Sequence, residues 1–170
     1  MVEHVREHSL IGQPDHGRIR PLKREEIYRV LDRMTEGLPK AGRILLVPPD
    51  ITRLYSYAGV ITSYLYKKLS VDALVRILPA TGTHRPMTPG ERCRFFGRDI
   101  PDHAFLIHDW CRDTVDIGTV PGAYCAKVSA GRYTGDICAQ VNHYIVDQSF
   151  DLILSIGQVV PHEVTGMSNY

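Results

Sequence analysis

The 170-residue chain has four cysteines, Cys93, Cys111, Cys125 and Cys138, and no two of them form a C-x-x-C pair. That spacing removes the support for a structural zinc ribbon or a redox dithiol. No apolar run approaches the roughly 18–20 residues of a membrane span. The opening stretch, Met1-Val-Glu-His-Val-Arg-Glu-His8, lacks the apolar segment of a secretory leader. A cytoplasmic, reducing location with free thiols is expected, without a membrane partner. Charge of one sign is also lacking: 20 Lys and Arg against 19 Asp and Glu leave a net +1. Nucleic acid is therefore not an expected partner, and the basic cluster Arg18 to Arg24 reads as a solvated helix start. No G-x-G-x-x-G follows the first strand and no G-x-x-x-x-G-K-[ST] occurs, so the standard dinucleotide and P-loop readings lose their main support. A G-x-S-x-G elbow is missing too. Neither H-x-H nor H-E-x-x-H appears, which leaves a metal-dependent hydrolase a weak rival.

What is present is an ordinary globular composition, 44% hydrophobic and 23% charged, at a length that suits one domain. Residues 1–20 are polar, with Gly12, Pro14 and Gly17, and read as an arm ahead of a domain over 21–170. Ile27, Val30, Leu31 and Met34 recur at helical spacing, ended by Gly37 and Pro39. Arg43-Ile-Leu-Leu-Val47 is a short continuous apolar run, the mark of a strand covered on both faces. A helix is expected over 56–69, a strand over 73–78, and a third strand at Ala104-Phe-Leu-Ile107. Thr88-Pro-Gly-Glu91 has the form of a capping box. Segment 112–140 reads as short strands or a hairpin, and Asp151-Leu-Ile-Leu-Ser-Ile156 as a last strand. This rhythm predicts an α/β fold: a Rossmann-like parallel sheet flanked by helices.

In such sheets ligands bind beyond the C-terminal ends of the strands. Four predicted strands end in polar residues: Asp50 and Arg53, His84 and Arg85, His108 and Asp109, His162 and Glu163. Each has a plain structural alternative: Asp50 a turn cap, Arg53 a surface ion pair, His84 a helix-entry residue, His108 an ordinary strand terminus. Their convergence on one edge is what argues for a site. Two histidines across a pocket can exchange protons with a ligand near neutral pH, and a guanidinium can hold a carboxylate in bidentate fashion. That set suits stereoinversion, or proton and hydride shuttling, at a carbon next to a carboxylate. His108, Asp109 and His143 receive no role and lean structural.

Three segments carry a family likeness. Asp50-Ile-Thr-Arg53, Ala80-Thr-Gly-Thr-His-Arg-Pro86 and Gly157-Gln-Val-Val-Pro-His162-Glu-Val-Thr-Gly166 resemble, in order and spacing, the N-terminal domain of the nickel-pincer lactate racemases. The resemblance implies a racemase or epimerase of 2-hydroxy acids, with a nickel-pincer nucleotide accepting and returning a hydride. It implies His84 and His162 as the acid/base pair, and Asp50, Arg53 and Arg85 as substrate-binding residues. It further implies Thr52, Gly82 and Thr83 as cofactor-binding residues, with no metal ligand in this chain. Leu54 stands where the family often has Pro, and Met167-Ser-Asn-Tyr170 departs from the family's G-x-S-G-G stretch, which implies a divergent subgroup. The family's cofactor-anchoring lysine and C-terminal domain would fall past Tyr170. On this reading the chain is an N-terminal portion, inactive alone, with the C-terminal domain as its partner. The alternative is a non-catalytic α/β domain that binds a small molecule.

Overall fold

A computed structural model of the chain describes residues 22–162 and 166–168. The arm expected over 1–20 lies outside the described residues. The chain divides into two compact units, Met1–Lys40 and Ala41–Tyr170. In the first, the apolar stripe forms helix α1, Arg24–Glu36, with Glu25 and Glu26 in its first turn, Arg33 in its last and Leu31 buried. That charge order suits the helix dipole.

The second unit is built on a parallel sheet. Strand β1, Arg43–Val47, is followed by helix α2, Ala58–Leu69, and strand β2, Leu74–Ile77. Helix α3, Pro89–Phe96, comes next, and strand β5, Leu152–Ser155, completes the sheet in the order β2-β1-β5. The central strand is the apolar run read from the sequence: Leu45 and Leu46 are 0% exposed, as is Ile77 on β2. β5 borders the described sheet and is only half-buried. Its start is tied to β1 by Asp151, whose carboxylate accepts the backbone N–H groups of Gly42 (3.0 Å) and Arg43 (2.8 Å).

The third strand expected at 104–107 is reduced to one bridge. Asp102–Ala104 forms a single 3-10 turn, and only Phe105 pairs with Ile77, in parallel. Pro101 starts that turn, and the first extended residue after it is Phe105. The segment nevertheless lies beside β2, with the Leu106 N–H donating to the Ile77 carbonyl at 2.8 Å.

Segment 112–140 is an antiparallel pair, β3 (Thr114–Val120) and β4 (Ile137–Asn142), with helix α4 (Gly122–Val128) between them. A bulge at Ile117 puts two residues of β3 opposite Ala139. The register then places Val115, Val120, Ile137 and Val141 on one face, and Asp116, Thr119, Cys138 and Gln140 on the other. Past β5, Val160–His162 (β6) and Gly166–Ser168 (β7) pair antiparallel.

The helix-entry signal at Thr88 forms as read. Its hydroxyl accepts from Glu91 N–H at 3.3 Å, and the Glu91 carboxylate accepts from Thr88 N–H at 2.8 Å. α3 packs against α2 at Gly59, where a Cβ would fall 2.0 Å from the Phe95 carbonyl oxygen. Gly59→Ala is therefore expected to destabilise the fold by about 1–3 kcal/mol, since backbone would have to move. Gly90→Ala, where a Cβ meets nothing within 4 Å, should be neutral or stabilise by up to about 1 kcal/mol. Urea unfolding of both variants checks this, and equal losses would contradict the packing described.

Candidate functional site

The loops after β1 and β2 lie side by side at the C-terminal edge of the sheet, joined by a bridge between Pro49 and Ala80. Pro48 and Pro49 end β1, and Asp50 caps a 3-10 turn, Ile51–Arg53. Asp50 is only 4% exposed. One carboxylate oxygen accepts the Thr52 N–H at 3.0 Å and the Thr52 hydroxyl; the other meets His84 Nδ1 at 2.7 Å. Burial pushes the Asp50 carboxyl up, but the hydrogen bonds from Thr52 and His84 outweigh it and hold the group below its ordinary value.

His84 sits at the end of the turn after β2. Its N–H donates to the Thr81 carbonyl at 2.9 Å, and Gly82 takes the left-handed conformation (φ 56°) that the turn requires. The imidazole side chain is 59% exposed. An ionised carboxylate accepts only, so the Nδ1 facing it carries a proton and Nε2 is left toward solvent as the basic nitrogen. This is a carboxylate-oriented imidazole, a unit suited to taking a proton from a ligand hydroxyl and giving it back.

The other expected site residues fall as follows. Arg53 ends the Asp50 turn, exposed, with no side-chain partner among the described residues. Arg85 is committed to Glu91 through two bonds of 2.9 and 2.6 Å. The Arg85 guanidinium, reinforced by Thr88, holds the Glu91 carboxyl down at about 2. Thr52 gives its hydroxyl to Asp50, while Gly82 and Thr83 are exposed and open. Thus the edge brings Asp50, Thr52, Arg53 and His84 together and turns Arg85 toward α3. His162 ends β6, and only its backbone is described. Among the described residues, no three His, Cys, Asp or Glu side chains gather where a metal could be held.

Three polar residues acquire partners that the sequence reading did not supply. His108 Nδ1 meets the side-chain amide of Asn142 at 2.9 Å, and no sequence signal links two residues 34 apart. His143 Nδ1 meets Asp147 at 2.9 Å, a pairing that the i,i+4 spacing could have revealed. Asp109 caps the turn it begins, accepting from Cys111 N–H at 3.0 Å.

Because the folded Asp50 carboxyl lies below its ordinary value of 3.8, it stabilises the fold above that pH. The contribution is lost as the pH falls through the lower folded value. Glu91 behaves alike between 4.5 and about 2. Wild-type stability should therefore fall on acidification below about pH 5, and Asp50→Asn should flatten part of that fall while Glu91 keeps its share. Urea midpoints between pH 3 and 7 provide the check; an unchanged slope in the variant would show that the Asp50 contacts add nothing.

The family of the lactate racemase N-terminal domain matches residues 10–169. A crystal structure of a protein from Thermotoga maritima is 29% identical with a TM-score of 0.75, over 87% of this chain and 36% of that one. The lactate racemase apoprotein from Thermoanaerobacterium thermosaccharolyticum is 25% identical with a TM-score of 0.56, over 84% and 34%. No curated protein matches. The chain thus spans about a third of the length of either solved protein.

Proposed function

The chain belongs to the lactate racemase N-terminal domain family, and from that premise we propose that it supplies the proton-transfer half of a 2-hydroxy acid racemase or epimerase. The observation that carries the proposal is the buried Asp50 carboxylate at 2.7 Å from Nδ1 of an exposed His84. A 2-hydroxy acid presents a hydroxyl proton and a carboxylate on adjacent carbons. His84 Nε2 removes or returns the hydroxyl proton. Asp50 is a positioning residue that holds the ring and favours its charged form once the proton is taken. Arg53, three residues on in the same turn and without a partner among the described residues, holds the substrate carboxylate. Arg85 contributes by tying the His84 turn to α3 through Glu91, with its guanidinium already engaged. His162 is proposed as the partner histidine on the opposite face, on the resemblance of its segment.

Inversion by a route that starts from the hydroxyl proton also needs a hydride acceptor, and the family resemblance implies a nickel-pincer nucleotide. The described residues do not fit its metal, because no ligand set is assembled among them. Thr52, Gly82 and Thr83 are proposed for its non-metal part. A cytoplasmic location and the C-terminal domain as partner are proposed on the same resemblance.

The test is interconversion of enantiopure 2-hydroxy acids, lactate first, by the intact protein, followed by chiral chromatography. His84→Gln is expected to lower the rate about 10²–10⁴-fold with the fold retained and the unfolding midpoint lowered only by what the Asp50–His84 bond adds. Loss of folding instead would make His84 a structural residue. Binding of the acids without interconversion by the wild type would favour the non-catalytic binding domain.

A further inference from the structure

The residues between Phe105 and Asp109 run along the other side of β2 from β1. Phe105 bridges Ile77, and the next three residues carry the chain past the end of β2 to His108. The His84 turn is therefore flanked on one side by the Asp50 turn and on the other by the segment bearing His108. The two are clamped by Arg92 of α3. Its guanidinium donates to the Met87 carbonyl at 3.0 Å and to the Asp102 carboxylate at 2.9 Å, and lies 5.3 Å from the Phe105 ring centre. Thr81, Pro86, Met87, Arg92, Phe105 and His108 line a recess of about 20 Å³ between them. That is room for roughly one water-sized group. A ligand lying over this edge can reach the recess with a single oxygen.

His108 is held in the opposite sense to His84. Asn142 is 8% exposed, and its side-chain oxygen accepts the Tyr144 N–H at 3.0 Å. That bond fixes which end of the amide is oxygen, so the amide nitrogen is the end facing His108 Nδ1 at 2.9 Å. An amide N–H donates; Nδ1 must accept, and the ring proton sits on Nε2. His108 Nε2 has no protein partner and is not buried among the described residues. One edge thus presents two imidazoles in opposite tautomers: His84 with an open Nε2 acceptor, His108 with an open Nε2–H donor.

We propose that His108 is a further ligand-contacting residue, whose Nε2–H, fixed by Asn142, donates to a carboxylate or carbonyl oxygen of the ligand bound beside His84. This rests on the 2-hydroxy acid reading and deepens it. His84 addresses the hydroxyl proton and Arg53 the carboxylate from the Asp50 side, while His108 takes an oxygen from the far side. A carboxylate accepts from both, whereas an ammonium or other pure donor at that place would be turned away. Asn142 is the positioning residue for this contact.

Ring ¹⁵N–¹H spectra of the intact protein, with and without lactate, test the proposal without any substitution. We expect the His108 proton on Nε2, the His84 proton on Nδ1, and both rings perturbed by lactate at one saturating concentration. His108→Phe should then weaken lactate about tenfold, near 1.4 kcal/mol, while lactate still perturbs His84 at saturation. Lactate shifting His84 but not His108, or a proton found on His108 Nδ1, would overturn the inference and leave the 2-hydroxy acid reading standing. Lactate shifting neither ring would overturn both. Should His108→Phe fail to fold, the wild-type spectra decide alone.

Discussion

A carboxylate that is 4% exposed must be met by donors or lose its charge, and Asp50 is met by Thr52 on one oxygen and His84 on the other. Much of the described edge follows from that requirement. Because the Thr52 contacts are local, they close the 3-10 turn and set Arg53 at its end. Because the His84 contact spans 34 residues, it ties the loop after β1 to the loop after β2 and selects the imidazole tautomer. An exposed histidine on a Gly-containing turn would otherwise sample several orientations. The buried anion removes that freedom and leaves Nε2 as the ring nitrogen without a partner among the described residues.

The sheet supplies what the pair needs. β1 is covered on both faces, so its C-terminal end is a fixed point from which Pro48-Pro49 delivers Asp50. β2 is its parallel neighbour, joined through α2, which places the two loops on the same edge. α3 then holds the far ends of these loops. Its N-terminal box at Thr88 and Glu91 also takes Arg85, and Arg92 reaches Met87 and the Phe105 segment. Arg85 thus belongs with the scaffold of the site, while Arg53 stays available to a ligand.

Several of these features were legible from residue pattern alone. The continuous apolar run at Ile44–Val47 reads as a buried strand because no alternation interrupts it, and Thr88-Pro-Gly-Glu91 reads as a helix start because its chemistry is local. Phe105 was harder. Four apolar residues suggest a strand, but Pro101 and the turn at Asp102 consume the approach, and a single bridge remains. Asp50, Arg53 and His84 could be picked out by type and position after strands. Their division of labour could not, since it depends on which side chain is buried. The resemblance implied Asp50 as a substrate-binding residue beside Arg53, and the fold directs its oxygens inward to Thr52 and His84. The His108–Asn142 pair was invisible for a related reason: an asparagine at the end of a β-strand carries no mark of the histidine it meets across the fold.

The central claim is that a buried Asp50 carboxylate holds the proton of His84 on Nδ1 and frees Nε2 for a ligand. A neutron structure of the perdeuterated protein near neutral pH tests it most directly, because the hydrogens themselves are seen. The account predicts a deuteron on Nδ1 between His84 and Asp50, none on the Asp50 oxygens, and Nε2 directed to solvent. A deuteron on Asp50 itself, or a His84 ring turned away so that Asp50 meets Thr52 alone, would contradict it.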